Sequence, residues 1–366
     1  MPLKRRHFLF GALAAPVLAA TKKHAAVERP NIVLIVAEEV GAYMAGCYGN
    51  AEVHTPNIDR LALTGVRFHN SFSCAPVAPD QTAFAAAGYN CGRSNSEAQA
   101  GEFLDAQAPA KPFFLAMAWP SPNAVTAPRK NLDLYAKTGF ETIGWDSAAD
   151  NATRKEMLRD VPGNLRKYAA ALTTLDEQIP TLTAKLQKRG VWDNTLIVFT
   201  SNGGYLLGRH GLWGDTTASE PVNMFEEVVR TPLIWTCPSR FPPQTVRNEV
   251  VSSYDLMPAL CELAGAAPPA GSHVPSYLPF VYGRHLGKKQ SWPDVALGRI
   301  RETEMARDDR YKLILRNQGK GANELYDETA DPKEQTNQAD NTKFAGMRER
   351  LTGQLTAWRG APKAGA

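Results

Sequence analysis

Four apolar runs punctuate the chain: Ile32 to Ala37, Phe113 to Trp119, Leu196 to Thr200 and Leu233 to Thr236. None alternates with polar residues and all are rich in strand formers, so they read as parallel strands buried on both faces. Between them the spacing turns helical. The clearest stretch runs from Leu165 to Arg189, with Leu172, Leu175, Ile179, Leu182 and Leu186 on one face and Gly190 placed to cap its end. Pro180 removes one backbone hydrogen bond inside it, which predicts a kink. A second helix is expected over about Asp255 to Leu263. Strand and helix alternate, so the fold class is α/β.

Beyond about residue 270 the texture becomes rich in Pro and Gly. A half-buried strand follows over Arg310–Arg316, then a polar helix near Lys343 to Trp358, a small α+β subdomain. The expected organisation is a main unit over 27–270 and a C-terminal unit over 271–366.

The first 22 residues stand apart. Arg5 and Arg6 precede an apolar stretch starting at Phe8 and ending in small residues, the pattern of a twin-arginine export signal. The stretch is shorter than the roughly 20 apolar residues of a membrane span. A periplasmic or secreted protein with no membrane span after signal removal is therefore expected. Loss of Lys4, Arg5 and Arg6 takes three from the 41 basic residues against 37 acidic ones, which leaves the remainder near neutrality. Nothing in that balance argues for nucleic acid. The five cysteines, Cys47, Cys74, Cys91, Cys237 and Cys261, lack C-x-x-C spacing, so they give no support to a zinc site, and their pairing stays open.

In an open parallel sheet, ligands bind beyond the carboxyl ends of the strands. The first run is followed there by Glu38-Glu39, the second by Pro120-Ser-Pro-Asn123 and the third by Ser201-Asn202-Gly203-Gly204. These segments should share one edge. Two adjacent carboxylates repel each other, and a hard cation is a usual reason to keep them together. A solvated acidic loop is the alternative.

Arg29-Pro-Asn-Ile-Val-Leu-Ile-Val-Ala37, His54-Thr-Pro-Asn-Ile-Asp-Arg-Leu-Ala62 and Gly65-Val-Arg-Phe68 resemble the opening of the formylglycine-dependent sulfatases of the alkaline phosphatase superfamily. The resemblance continues through Leu175-Asp-Glu-Gln178, Asp193–Ser201, His210-Gly-Leu-Trp-Gly214, Arg230-Thr-Pro-Leu-Ile234 and Glu324-Leu-Tyr-Asp327. It implies a mostly parallel sheet sandwiched by helices, with the small C-terminal α+β unit. It also implies a Cys or Ser oxidised to formylglycine, whose hydrate attacks sulfur while calcium and cationic side chains neutralise the sulfate oxygens.

This chain departs from that machinery. The nucleophile segment reads Ala75-Pro-Val-Ala78-Pro-Asp-Gln81-Thr82, with Ala78 at or beside the nucleophile position and Gln81 or Thr82 in place of the motif arginine. The metal positions map to Glu38, Glu39, Asn202 and Gly203. Asn123 replaces the leaving-group histidine and cannot deliver a proton. Asp215 stands near the place of an expected lysine, and an internal deletion near 89–110 removes two further cations. Cys74-Ala-Pro76 imitates the nucleophile motif but sits too early and lacks its arginine.

Three readings follow: a pseudoenzyme that binds a sulfated ligand or another protein, a sulfate- or phosphate-ester hydrolase using Glu38 or Glu39 as base, or a damaged, poorly folding chain. Calcium is expected to bind weakly or not at all, at Glu38, Glu39 and Asn202.

Overall fold

The computed structural model describes residues 29–73, 77, 79, 81–108, 111–269, 276–286 and 291–360. The export segment, Cys74 and Ala78 lie outside them.

The four apolar runs are strands, joined in the main sheet by three more polar ones. In chain order the strands are β1 (Asn31–Ala37), β2 (Val66–Phe72), β3 (Asn90–Ser94), β4 (Phe113–Trp119) and β5 (Thr195–Ser201). A small hairpin, β6 (Leu206–Leu207) and β7 (Trp213–Gly214), separates them from β8 (Leu233–Thr236) and β9 (Thr245–Ser252). The main sheet has the order β3-β4-β1-β5-β8-β2-β9.

All seven residues of β1 are buried because the sheet is covered on both sides. Val33, Ile35 and Ala37 face one core, Ile32, Leu34 and Val36 the other. Helices α1 (Pro56–Leu63), α3 (Glu97–Asp105), α5 (Val161–Asp176) and α6 (Gln178–Lys188) contribute to the first core, with α4 (Arg129–Leu134) packed on α5. Helices α2 (Gln81–Ala86), α8 (Ser253–Ala264) and α9 (Leu278–Val281) fill the second; a short α7 (Glu226–Val229) lies over the carboxyl edge of the sheet.

Two expectations need correction. β8 pairs antiparallel with both β5 and β2. After β5 the chain stays over the carboxyl edge, through the hairpin and α7, and no crossover returns it to the amino edge, so the next strand must run backwards. A buried apolar run looks the same in either direction. The helix expected to kink at Pro180 instead breaks at Glu177, giving α5 and α6. Proline clashes with the carbonyl four residues earlier, here that of Asp176, where α5 ends.

That break leaves Asp176 free to cap another helix. Its fully buried carboxylate accepts from the backbone amides of Asn57 (3.1 Å) and Ile58 (2.8 Å) and from Asn57 Nδ2 (2.6 Å), at the start of α1. Burial pushes the acid up to about 6 in spite of these bonds. Asp176→Ala would strand the donors without solvent and is expected to cost about 2–4 kcal/mol in urea unfolding; a loss under about 1 kcal/mol would show that the cap contributes little.

The C-terminal unit is an antiparallel sheet of β10 (Ala296–Ile300), β11 (Thr303–Arg307), β12 (Tyr311–Arg316) and β13 (Glu324–Asp327), covered by α10 (Ala345–Gly360). Its inner residues Met305, Ile314 and Tyr326 pack with Phe72, Val228 and Val250 of the main unit. No helix among the described residues is long and apolar enough to cross a membrane.

Candidate functional site

The central strands β4, β1 and β5 end in register, with Ala37 paired to Trp119 on one side and Ser201 on the other. The ladder runs one residue further, through Glu38 N to Trp119 O (3.1 Å) and Asn202 N to Ala37 O (2.8 Å). The three segments expected to share an edge therefore meet there.

Their side chains form one hydrogen-bonded set. Asn202 Nδ2 donates to Glu38 Oε1 at 2.7 Å, while Asn202 Oδ1 accepts from the backbone amide of Val77 at 2.7 Å. Both bonds are possible only with the amide in this orientation. Glu39 Oε2 accepts from Ser121 Oγ and from Asn123 Nδ2 (3.2 Å). Glu39 sits at φ 59°, a left-handed conformation unusual for a side-chain-bearing residue. Tyr168 Oη holds it there by donating to its carbonyl at 2.5 Å, and Ser201 Oγ accepts from the next amide, Val40 N, at 3.1 Å.

Glu38, Glu39, Asn123 and Asn202 are thus brought together, with Ser121 added. Gln81 is not among them. Its amide donates to the Gly92 carbonyl at 2.5 Å, tying the start of α2 to the edge strand β3. Ala78 lies outside the described residues.

A calcium ion at this edge would have to draw its oxygens from these side chains. The ion takes six to eight oxygens, several of them carboxylate. Here the Asn202 oxygen is turned to a backbone N–H, one oxygen of each glutamate already accepts a hydrogen bond, and Gly203 has no side chain.

A second cluster lies alongside, around α7. A Cβ at Gly204 would come within 1.8 Å of the Glu227 carbonyl oxygen, so only glycine lets the two segments approach this closely. Glu227 pairs with Arg209 (2.9 Å) and His210 Nε2 (3.2 Å), and these partners outweigh burial and hold its acid below the usual range. His210 stacks on Phe225 with ring centroids 3.6 Å apart, so this histidine of the matching His210–Gly214 stretch supports the loop.

Glu226 points the other way, into the C-terminal unit. It meets Arg307 Nε at 2.9 Å and Lys312 Nζ at 3.4 Å; Lys312 is itself fully buried and also contacts Glu334 (2.5 Å) and Glu328 (3.7 Å). Burial opposes charge on Glu226, but Arg307 and Lys312 win and bring it down to about 2. Burial raises Glu334 to about 7 and Glu328 to about 9, because the same two cations cannot neutralise three carboxylates.

The sequence reading missed this knot. Its one local signal was the adjacent pair Glu226-Glu227, the same signal as Glu38-Glu39, but preceded by no apolar run to mark a strand end.

Comparison with known proteins covers both units. The family model described as Sulfatase matches residues 30–80 and 86–266, and that described as N-sulphoglucosamine sulphohydrolase, C-terminal, matches 214–361. The chain is 21% identical to the Ulvan-active sulfatase of Formosa agariphila, over 92% of this chain and 81% of that protein. It is 29% identical to the Extracellular sulfatase SULF-1 homolog of Drosophila melanogaster, over 56% of this chain but 19% of that one. Several curated relatives are thus matched over less than half their length. The crystal structure of the phosphonate monoester hydrolase of Agrobacterium radiobacter superposes with a TM-score of 0.74 at 19% identity, covering 90% of this chain and 95% of that one. At that identity the likeness speaks for the fold.

Proposed function

The chain belongs to the sulfatase family, and from that premise we propose that it is an exported pseudoenzyme, which keeps the scaffold for binding a sulfated ligand or another protein. The observation that carries this reading is the Asn202 amide. Its Nδ2 donates to the Glu38 carboxylate and its Oδ1 accepts from the Val77 backbone N–H, so the one side-chain oxygen that position 202 could offer a cation is engaged by a donor.

The neighbouring positions support the same reading. Asn123 is spent on Glu39, and Gln81 on the carbonyl of an edge strand. No Cys or Ser occupies position 78, and no arginine occupies 81 or 82. Without an activated nucleophile or cations aimed at developing charge, sulfate-ester cleavage loses both of its main sources of rate. Export is supported by Arg5-Arg6 and the apolar stretch after them.

The test is hydrolysis of an aryl sulfate by the purified protein in millimolar calcium. No rate above buffer is expected. A rate that Glu38→Gln abolishes would favour an altered hydrolase and defeat the proposal.

Calcium supplies a separate measurement. A micromolar site in millimolar ion would add about 4 kcal/mol, several degrees in the melting temperature. The expected shift between chelator and calcium is under about one degree. A rise of several degrees, lost when Glu38 and Glu39 are both changed to Gln, would mean that the cation site persists.

A further inference from the structure

A cleft of about 530 Å³ opens between the main sheet and the C-terminal unit, walled by His69, Arg230, Arg307 and Glu328 among others. Most of its charges are spent on one another. Glu227 is held by Arg209, Glu226 by Arg307 and Lys312, and Glu328 lies 3.7 Å from Lys312 and 4.0 Å from Arg307.

Arg230 is different. Its Nε donates to the His69 carbonyl at 2.9 Å and its Nη2 contacts the His69 ring at 2.9 Å; its charge acts on Glu226 from a distance, but among the described residues no carboxylate forms a close ion pair with it. Arg67, two residues before His69, likewise forms no ion pair among the described residues and stacks its guanidinium over Tyr48 at 4.7 Å. Burial and the charges of Arg230 and Arg67 push His69 down to about 4, so the imidazole is neutral at physiological pH and adds an N–H donor without a competing charge. The wall beside them carries the exposed Asn248, with Asn70, Thr329 and Asp309, groups suited to hydroxyls.

We propose that this cleft binds a small hydroxylated ligand through a single oxyanion, with Arg230 as the cation that receives it. The guanidinium edge not turned to His69 can meet a carboxylate, phosphate or sulfate group in a charge-assisted hydrogen bond. Asp309 and the amides then take hydroxyls on the rest of the molecule. The site is separate from Glu38, Glu39 and Asn202, and the proposal does not rest on the loss of hydrolysis.

Isothermal titration of the full chain with sodium gluconate, inorganic phosphate and sodium sulfate, each against chloride at matched ionic strength, tests it. Gluconate is expected to bind with a Kd of about a millimolar or tighter. Arg230→Gln should weaken binding by at least about tenfold through loss of the cation. Asn248→Asp, an exposed position with little bearing on folding, should also weaken binding by adding a negative charge to the wall of the cleft that receives the anion. It keeps the test decisive if the arginine variant fails to fold. No gluconate binding up to roughly 50 mM, inorganic anions bound in its place, or affinity unchanged in Asn248→Asp would each overturn the proposal.

Discussion

Replacing Lys312 with Met is expected to remove about 3–5 kcal/mol of stability, the cost of leaving buried carboxylates without their cation. The Lys312 ammonium is fully buried and lies 2.5 Å from Glu334 and 3.4 Å from Glu226, and those partners raise its pKa against the opposing effect of burial. Methionine fills similar volume, so the loss is electrostatic more than one of packing. Lys130 provides the contrast. Its 3.0 Å pair with Glu177 leaves the two side chains 68% and 40% exposed, and Lys130→Met should cost under about 1 kcal/mol. Equilibrium urea unfolding of both variants decides it; equal, small losses would mean that the knot is solvated or dispensable.

The second large effect is a stability that falls as pH rises past neutrality. Glu328 and Glu334 carry native pKa values raised by burial to about 9 and about 7, against 4.5 for an ordinary glutamate. Each binds its proton more tightly folded than unfolded, so its contribution is complete below about 4.5 and is lost as pH climbs through the folded value. The groups facing the pair are Arg307, Lys312, Glu226 and, toward Glu334, Glu227. Between pH 7 and 9 the loss should be on the order of 3 kcal/mol, most of it from Glu328.

Asp176 and Asp255, raised by burial to about 6, act in the same direction at lower pH. His69, lowered to about 4, acts oppositely and destabilises below its ordinary 6.5. From pH 7 to 9 the glutamates therefore dominate, with the thiols of Cys47, Cys91 and Cys237, pushed up by burial, adding to the fall only near pH 9. Thermal melts across that interval should drop by several degrees in the wild type and by clearly less in Glu328→Gln. A flat wild-type profile would show that neither acid retains a proton.

Much of the main sheet was legible because its central strands are buried on both faces, so β1, β4, β5 and β8 appear as unbroken apolar runs. The direction of β8 was not, since burial constrains side chains and leaves chain direction to the path of residues 202–232. The edge site could be read because Glu38, Asn123 and Asn202 each follow a run that ends at the same height. The knot at Lys312 joins residues 86 positions apart, Glu226 and Lys312, on elements that only tertiary packing brings together. Lys312 sits in a strand whose inner face reads as ordinary alternation, and nothing local marks its ammonium as buried.

The division of labour between the two units bears on how the protein is made. Every strand of the main sheet is complete by Ser252, so during synthesis the sheet can close before Ala296 has left the ribosome. At that moment Phe72, Val228 and Val250 have no cover and Glu226 has neither Arg307 nor Lys312. A nascent chain passes through this half-clad state, with a greasy face beside an unpaired acid. Translation stalled between the two units would leave a sticky intermediate for chaperones to hold, and arrival of the last strands both hides that face and neutralises the charge in one docking step.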